Sequence, residues 1–109
     1  QIFLSHEWPS MVTDTAHPKQ LQFLLSKKKH FRKDVQQGNL GAHCLNILVD
    51  ELQPNFWFSA HLHVKFGTNL SDKTQFLALD KPIPGNPNRK YMDIFDLIDG
   101  KLTSILGQP

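Results

Sequence analysis

The sequence predicts a domain of the α/β class, or an α+β one, and three observations predict it. A short apolar run, "IFLS", opens the chain as a strand. Helical patterning then governs much of residues 18–52. From residue 56 onward the pattern switches to short apolar or alternating runs separated by turn residues. Helices followed by a run of hairpin-linked strands mean α+β, or the second half of a layered α/β domain.

The elements follow in order. Ile2 to Ser5 reads as a buried strand that ends at His6. Glu7 to Pro18 is rich in Pro, Ser, Thr and Asp and reads as irregular. Pro18 fits the first position of a helix, and Leu21, Leu24 and Leu25 carry that helix to about Ser26. The basic run "KKKHFRK", Lys27 to Lys33, predicts an amphipathic helix with Phe31 and Val35 inside and Lys28, Lys29, Arg32 and Lys33 in water. Leu45, Leu48, Val49 and Leu52 form the best helical stripe in the chain, ended by Pro54.

Phe56 to Ala60 reads as an aromatic strand. Leu62 to Phe66 alternates, placing His63 and Lys65 on one face of a further strand. Gly67 to Asp72 predicts the turn of a hairpin, with Gln75 to Leu79 as its return strand. Asp80 to Lys90 is a Pro- and Gly-rich loop, Tyr91 to Ile98 a strand, Asp99-Gly100 a tight turn, and Lys101 to Leu106 a last strand.

Composition narrows the classes. Of 109 residues, 39% are hydrophobic and 20% charged, as in a globular protein rather than a disordered tail. Twelve basic against ten acidic residues give a net charge of +2, too small to point to nucleic acid. The single cysteine, Cys44, excludes an internal disulfide and fits a reducing compartment. No apolar run approaches the ~20 residues of a membrane span. A chain that starts without Met, already in a strand, is expected to be cut from something longer.

Histidine carries the chemistry. His17, His30 and His43 fall where surface histidines are ordinary. In an extended segment His61 and His63 leave one face of a strand, so both imidazoles can reach one small volume. His6 also follows an apolar strand, and Ser5-His6 repeats the form of Ser59-Ala60-His61. Ligands of layered α/β proteins bind beyond the carboxyl ends of strands, where three such histidines can converge. Three imidazoles suffice for a single catalytic Zn²⁺.

"FLSHEWP", "WFSAHLHVKF" and "FLALDKPIP", with the block "GNLGAHCLNILVDELQPNFWFSAHLHVKF", resemble the calcineurin-like metallophosphoesterases. More narrowly, they are similar to the branch of that family that opens lariat RNA, from Ile2 to about Leu97. The resemblance implies part of a four-layer αββα sandwich, with residues 1–98 as the C-terminal part of the catalytic domain. Residues 99–109 are then a terminal strand or the start of a following segment. It implies two divalent transition-metal ions (Fe²⁺, Zn²⁺ or Mn²⁺), His6 and His61 on one and His63 on the other. It implies hydrolysis of the 2′–5′ phosphodiester of branched (lariat) RNA in a nuclear protein able to shuttle to the cytoplasm, with no membrane and no obligate protein partner.

Trp8, Lys65 and Lys81 are the candidate substrate-binding residues: Trp8 for stacking, the lysines for phosphate oxygens. Motifs of the form D-x-H or C-x-H, G-D and G-N-H-[DE] are absent, so no catalytic residue is expected in this segment. The 109 residues alone are expected to be inactive. Two other readings stay open: a non-catalytic RNA-binding remnant of the fold, and a single-zinc hydrolase using His6, His61 and His63.

Overall fold

The computed structural model describes residues 1–87, 89–96 and 103–104. The fold is α/β, built on a mixed four-stranded sheet: β1 (Ile2–Leu4), β2 (Phe56–Ser59), β3 (Phe66–Asn69) and β4 (Gln75–Ala78). Their spatial order is β1-β2-β4-β3. β1, β2 and β4 run parallel and β3 lies antiparallel on the edge. Parallel neighbours need a long crossover, and four helices between β1 and β2 supply it. They are α1 (Met11–Thr15), α2 (Pro18–Lys27), α3 (Arg32–Gln36) and α4 (His43–Leu52). A short pair, β5 (Phe95–Asp96) and β6 (Thr103–Ser104), stands apart.

Alternation along the strands sorts the sheet into two faces. Trp57 is stacked on Phe3, and with Phe76 and Ala78 these residues share a core with Val12, Leu24 and Val49 of the helices. The other face carries Ile2, Leu4, Phe56, Phe58 and Leu77, of which Ile2 and Leu4 are exposed. No helix among the described residues is long and apolar enough to cross a membrane.

Several expectations are corrected. Residues 7–18 are not wholly irregular, because Met11–Thr15 forms a helix that buries Val12 and Thr13. His17, expected to be unremarkable, caps α2: its Nδ1 accepts from the Lys19 N–H at 3.1 Å, while Gln20 accepts from the His17 N–H. "KKKHFRK" is not one helix. α2 ends at Lys27, Lys28 turns out of helical geometry, and a 3₁₀ turn at Lys29–Phe31 leads into α3. The stripe on α4 buries only Val49 fully, leaving Leu48 and Leu52 exposed. The hairpin turn is shifted: Gly67 to Asn69 pair with β4, and Leu70 to Thr74 make the turn. The strand expected over Tyr91–Ile98 is seen at Phe95–Asp96, and the Asp99-Gly100 turn lies outside the described residues.

Candidate functional site

Because β1 and β2 are parallel, both carboxyl ends open on the same edge of the sheet. His6 and His61 lie just beyond them, and His6 Nε2 stands 2.8 Å from His61 Nδ1. Their rings meet edge to face with centroids 4.7 Å apart. Both imidazoles are exposed, and Glu7 Oε1 lies 3.8 Å from the other ring nitrogen of His61.

The backbone beneath them is tied down. The ladder continues past the strand ends, with Ser5 N–H donating to the Phe58 carbonyl at 3.0 Å and Ala60 N–H to the His6 carbonyl at 3.1 Å. Ser5 and Ser59 hydroxyls lie 2.9 Å apart, Trp57 Nε1–H donates to Ser5 Oγ at 2.9 Å, and Ser5 donates to the Glu7 carbonyl at 2.6 Å. The repeated serine-before-histidine pattern is thus a contact: the two serines clamp the two loops that carry the imidazoles.

His61 and His63 do not share a strand face. Leu62 N–H donates to the Ala60 carbonyl at 2.8 Å, closing a three-residue turn around His61. His61 has φ +70° and His63 φ +57°, the left-handed region. For residues with a Cβ that conformation costs about 1–2 kcal/mol each, and such strain clusters at functional positions. β3 therefore begins only at Phe66, and His63 faces elsewhere. It lines a cleft with Lys28, Lys65, Asp80 and Arg89. Burial, then Lys81 and Lys28, hold its imidazole below the ordinary value; Asp80 opposes them and Arg89 adds to them.

Among the described residues, no three His, Cys, Asp or Glu side chains group closely enough to hold one metal ion. A single zinc held by His6, His61 and His63 together finds no support in this arrangement. The His6–His61 pair does fit a divalent ion as two of its ligands. Two imidazole nitrogens bound tetrahedrally at ~2.0–2.1 Å stand about 3.3 Å apart, so a small opening of the observed pair would seat the ion.

Trp8 is not available for stacking. It is 1% exposed, its Nε1–H donates to the Ala60 carbonyl at 2.9 Å, and its ring packs on Phe66 and Phe76. Lys65 pairs with Asp93, both side chains largely buried. Lys81 is exposed beside Asp80, whose Oδ1 accepts its backbone N–H at 2.7 Å. Sequence reasoning gave no role to Phe23, to Asp80 within "FLALDKPIP", or to Arg89 at the far end of the same loop. Arg89 Nη1 donates to Asp80 Oδ2 at 2.9 Å across the cleft wall.

No protein-family model matches the chain. It is 39% identical over 101 residues to the lariat debranching enzyme of Arabidopsis thaliana, which covers 88% of this chain and 23% of that relative. The lariat debranching enzyme of Gallus gallus is 40% identical over 106 residues, covering 88% and 19%. That of Homo sapiens is 40% identical over 106 residues, covering 88% and 18%. The chain spans about a fifth of the length of these relatives. Over 88% of its length the chain is a homologue of one part of the lariat debranching enzymes.

Proposed function

We propose that the chain is part of the catalytic domain of a metal-dependent RNA phosphodiesterase that hydrolyses the 2′–5′ bond at the branch point of lariat RNA, acting in the nucleus. The observation that carries this reading is the meeting of His6 and His61 at 2.8 Å beyond two parallel strands. The similarity to lariat debranching enzymes supports the substrate. The apolar sheet face of Ile2, Leu4, Phe56, Phe58 and Leu77 supports a four-layer sandwich, since a second sheet would cover it.

In this reading His6 and His61 hold one divalent ion (Fe²⁺, Zn²⁺ or Mn²⁺) and His63 a second. Bound there, the ions would supply the Lewis acidity and charge neutralisation that phosphodiester hydrolysis needs. The Ser5–Ser59–Trp57 network holds the two loops so that the imidazoles are already oriented. Burial, with Lys81 and Lys28 beside it, favours the neutral ring of His63, and these cations make the nearby surface attractive to phosphate. Lys81, exposed and beside Asp80, is the side chain proposed to meet a phosphate oxygen. The described residues bring two nitrogens together where a two-ion centre needs many more donors, so the 109 residues alone are inactive.

The test is cleavage of a 2′–5′ branched oligoribonucleotide by the intact protein. Cleavage should disappear with chelator and with His61→Ala. Full activity in either condition would overturn the reading.

A further inference from the structure

We propose that the cleft between the end of α2 and the 80–90 loop holds the backbone of single-stranded RNA, with Phe23 on its rim as a stacking platform for a base. The choice of RNA rests on the function proposed above; the cleft itself rests on four observations.

The first is charge. A cavity of ≈ 370 Å³ is lined by Lys27, Lys28, Lys65, Arg89 and Lys90, with Asp80 as the acidic residue among its walls. In a chain of net charge +2, this is a strong local concentration of cations. The second is availability. Lys65 is engaged by Asp93 and one Arg89 nitrogen by Asp80, which fixes the walls. Among the described residues, no ion pair engages the ammonium groups of Lys27, Lys28 or Lys90.

The third is the aromatic. Phe23 is 45% exposed on α2, a helix whose buried residue is Leu24. Lys27 Nζ lies 5.9 Å from its ring centroid. Phe23 also borders a second depression of ≈ 260 Å³ that Lys19 and Lys65 line. A cationic groove beside an exposed aromatic is the pattern that holds single strands, the phosphates in the groove and a base on the ring. The fourth is position. His63, two residues along the chain from His61, lines the same cleft.

The test is binding of a labelled, unbranched single-stranded RNA of about ten nucleotides, within the usual site size for such grooves, to the intact protein. Chelator is present throughout, so that no cleavage occurs. Phe23→Ala and Lys28→Glu should each weaken binding by about tenfold. Lys28→Glu should also flatten the salt dependence by about 0.7 in log–log slope, because one phosphate is no longer neutralised. Phe23 is exposed and Lys28 half-buried, and circular dichroism melts check that the variants fold. Binding of double-stranded RNA should not respond to Phe23→Ala, because a paired base is not free to stack on it.

Unchanged single-strand affinity in either variant overturns the proposal. An equal loss for duplex RNA with Phe23→Ala does so too, leaving only a general polyanion surface. The two readings fail separately. If the variants bind as wild type while His61→Ala abolishes debranching, the track is wrong and the enzyme reading survives. If the variants lose affinity while the protein cleaves no branched RNA, the track stands and the enzyme reading fails.

Discussion

His6 and His61, 55 positions apart in sequence, meet with ring nitrogens 2.8 Å apart because the strands before them are parallel neighbours. Two neutral nitrogens at that distance attract only if one donates and the other accepts, or if a cation sits between them. The clamp of Ser5 and Ser59 holds this pairing from below.

Loss of Ser5 should therefore be felt in stability and at the site. Ser5→Ala leaves the buried Trp57 Nε1–H without its acceptor, at a cost of about 1–3 kcal/mol. Chemical denaturation measures the loss, and metal affinity should fall with it. A variant as stable as wild type would show that the clamp is idle.

Trp8 separates a packing role from a substrate role. Trp8→Ala should cost about 3–5 kcal/mol, the usual range for emptying a buried indole. Trp8→Phe should be milder, and where the variant is folded its affinity for single-stranded RNA should match wild type. A loss of RNA affinity without a loss of stability would restore Trp8 as a stacking residue.

Gly41 and Gly38 make a matched pair. Both have positive φ, but a Cβ at Gly41 would stand 2.6 Å from the Trp8 carbonyl oxygen, while one at Gly38 meets nothing within 4 Å. Gly41→Ala should disturb the Ala42 N–H to Trp8 carbonyl bond and the loop carrying His6. Gly38→Ala should cost about 1 kcal/mol, the backbone penalty alone. Denaturation midpoints of the two variants should differ clearly; equal midpoints would contradict the close packing of Gly41 on Trp8.

His63 supplies the pH dependence. Its folded value is depressed, chiefly by burial and then by Lys81 and Lys28, so the fold favours the neutral ring. The associated stability is fully present above the unfolded value of about 6.5 and is lost as pH falls through the folded value. NMR titration of the metal-free protein should give a His63 midpoint below about 6.5. Lys28→Ala should raise it. A midpoint at or above the ordinary value, or no response to Lys28→Ala, would contradict the cationic environment.

What the sequence made legible, and what it hid, follows from how each feature is encoded. β1, β2 and β4 are short apolar runs, and their ends marked His6 and His61 directly. α2 carried its own start signal in Pro18. The five residues of α1 are too few to display a helical period. The course of His61-Leu62-His63 was hidden for a different reason. Histidine at positive φ has no signature, and a strand reading that put both rings on one face was the natural one. The cleft of Phe23, Lys28 and Arg89 joins segments far apart in the chain, and only the tertiary fold assembles them.

The most direct test of the central claim is a double-mutant cycle on metal affinity in the intact protein, with His6→Ala, His61→Ala and the double variant, read by calorimetric titration of Mn²⁺ or Zn²⁺. Two ligands of one ion are strongly coupled, so each single variant should lose nearly as much affinity as the double. Metal affinity unchanged in both single variants, or losses that simply add, would contradict a shared ion between His6 and His61.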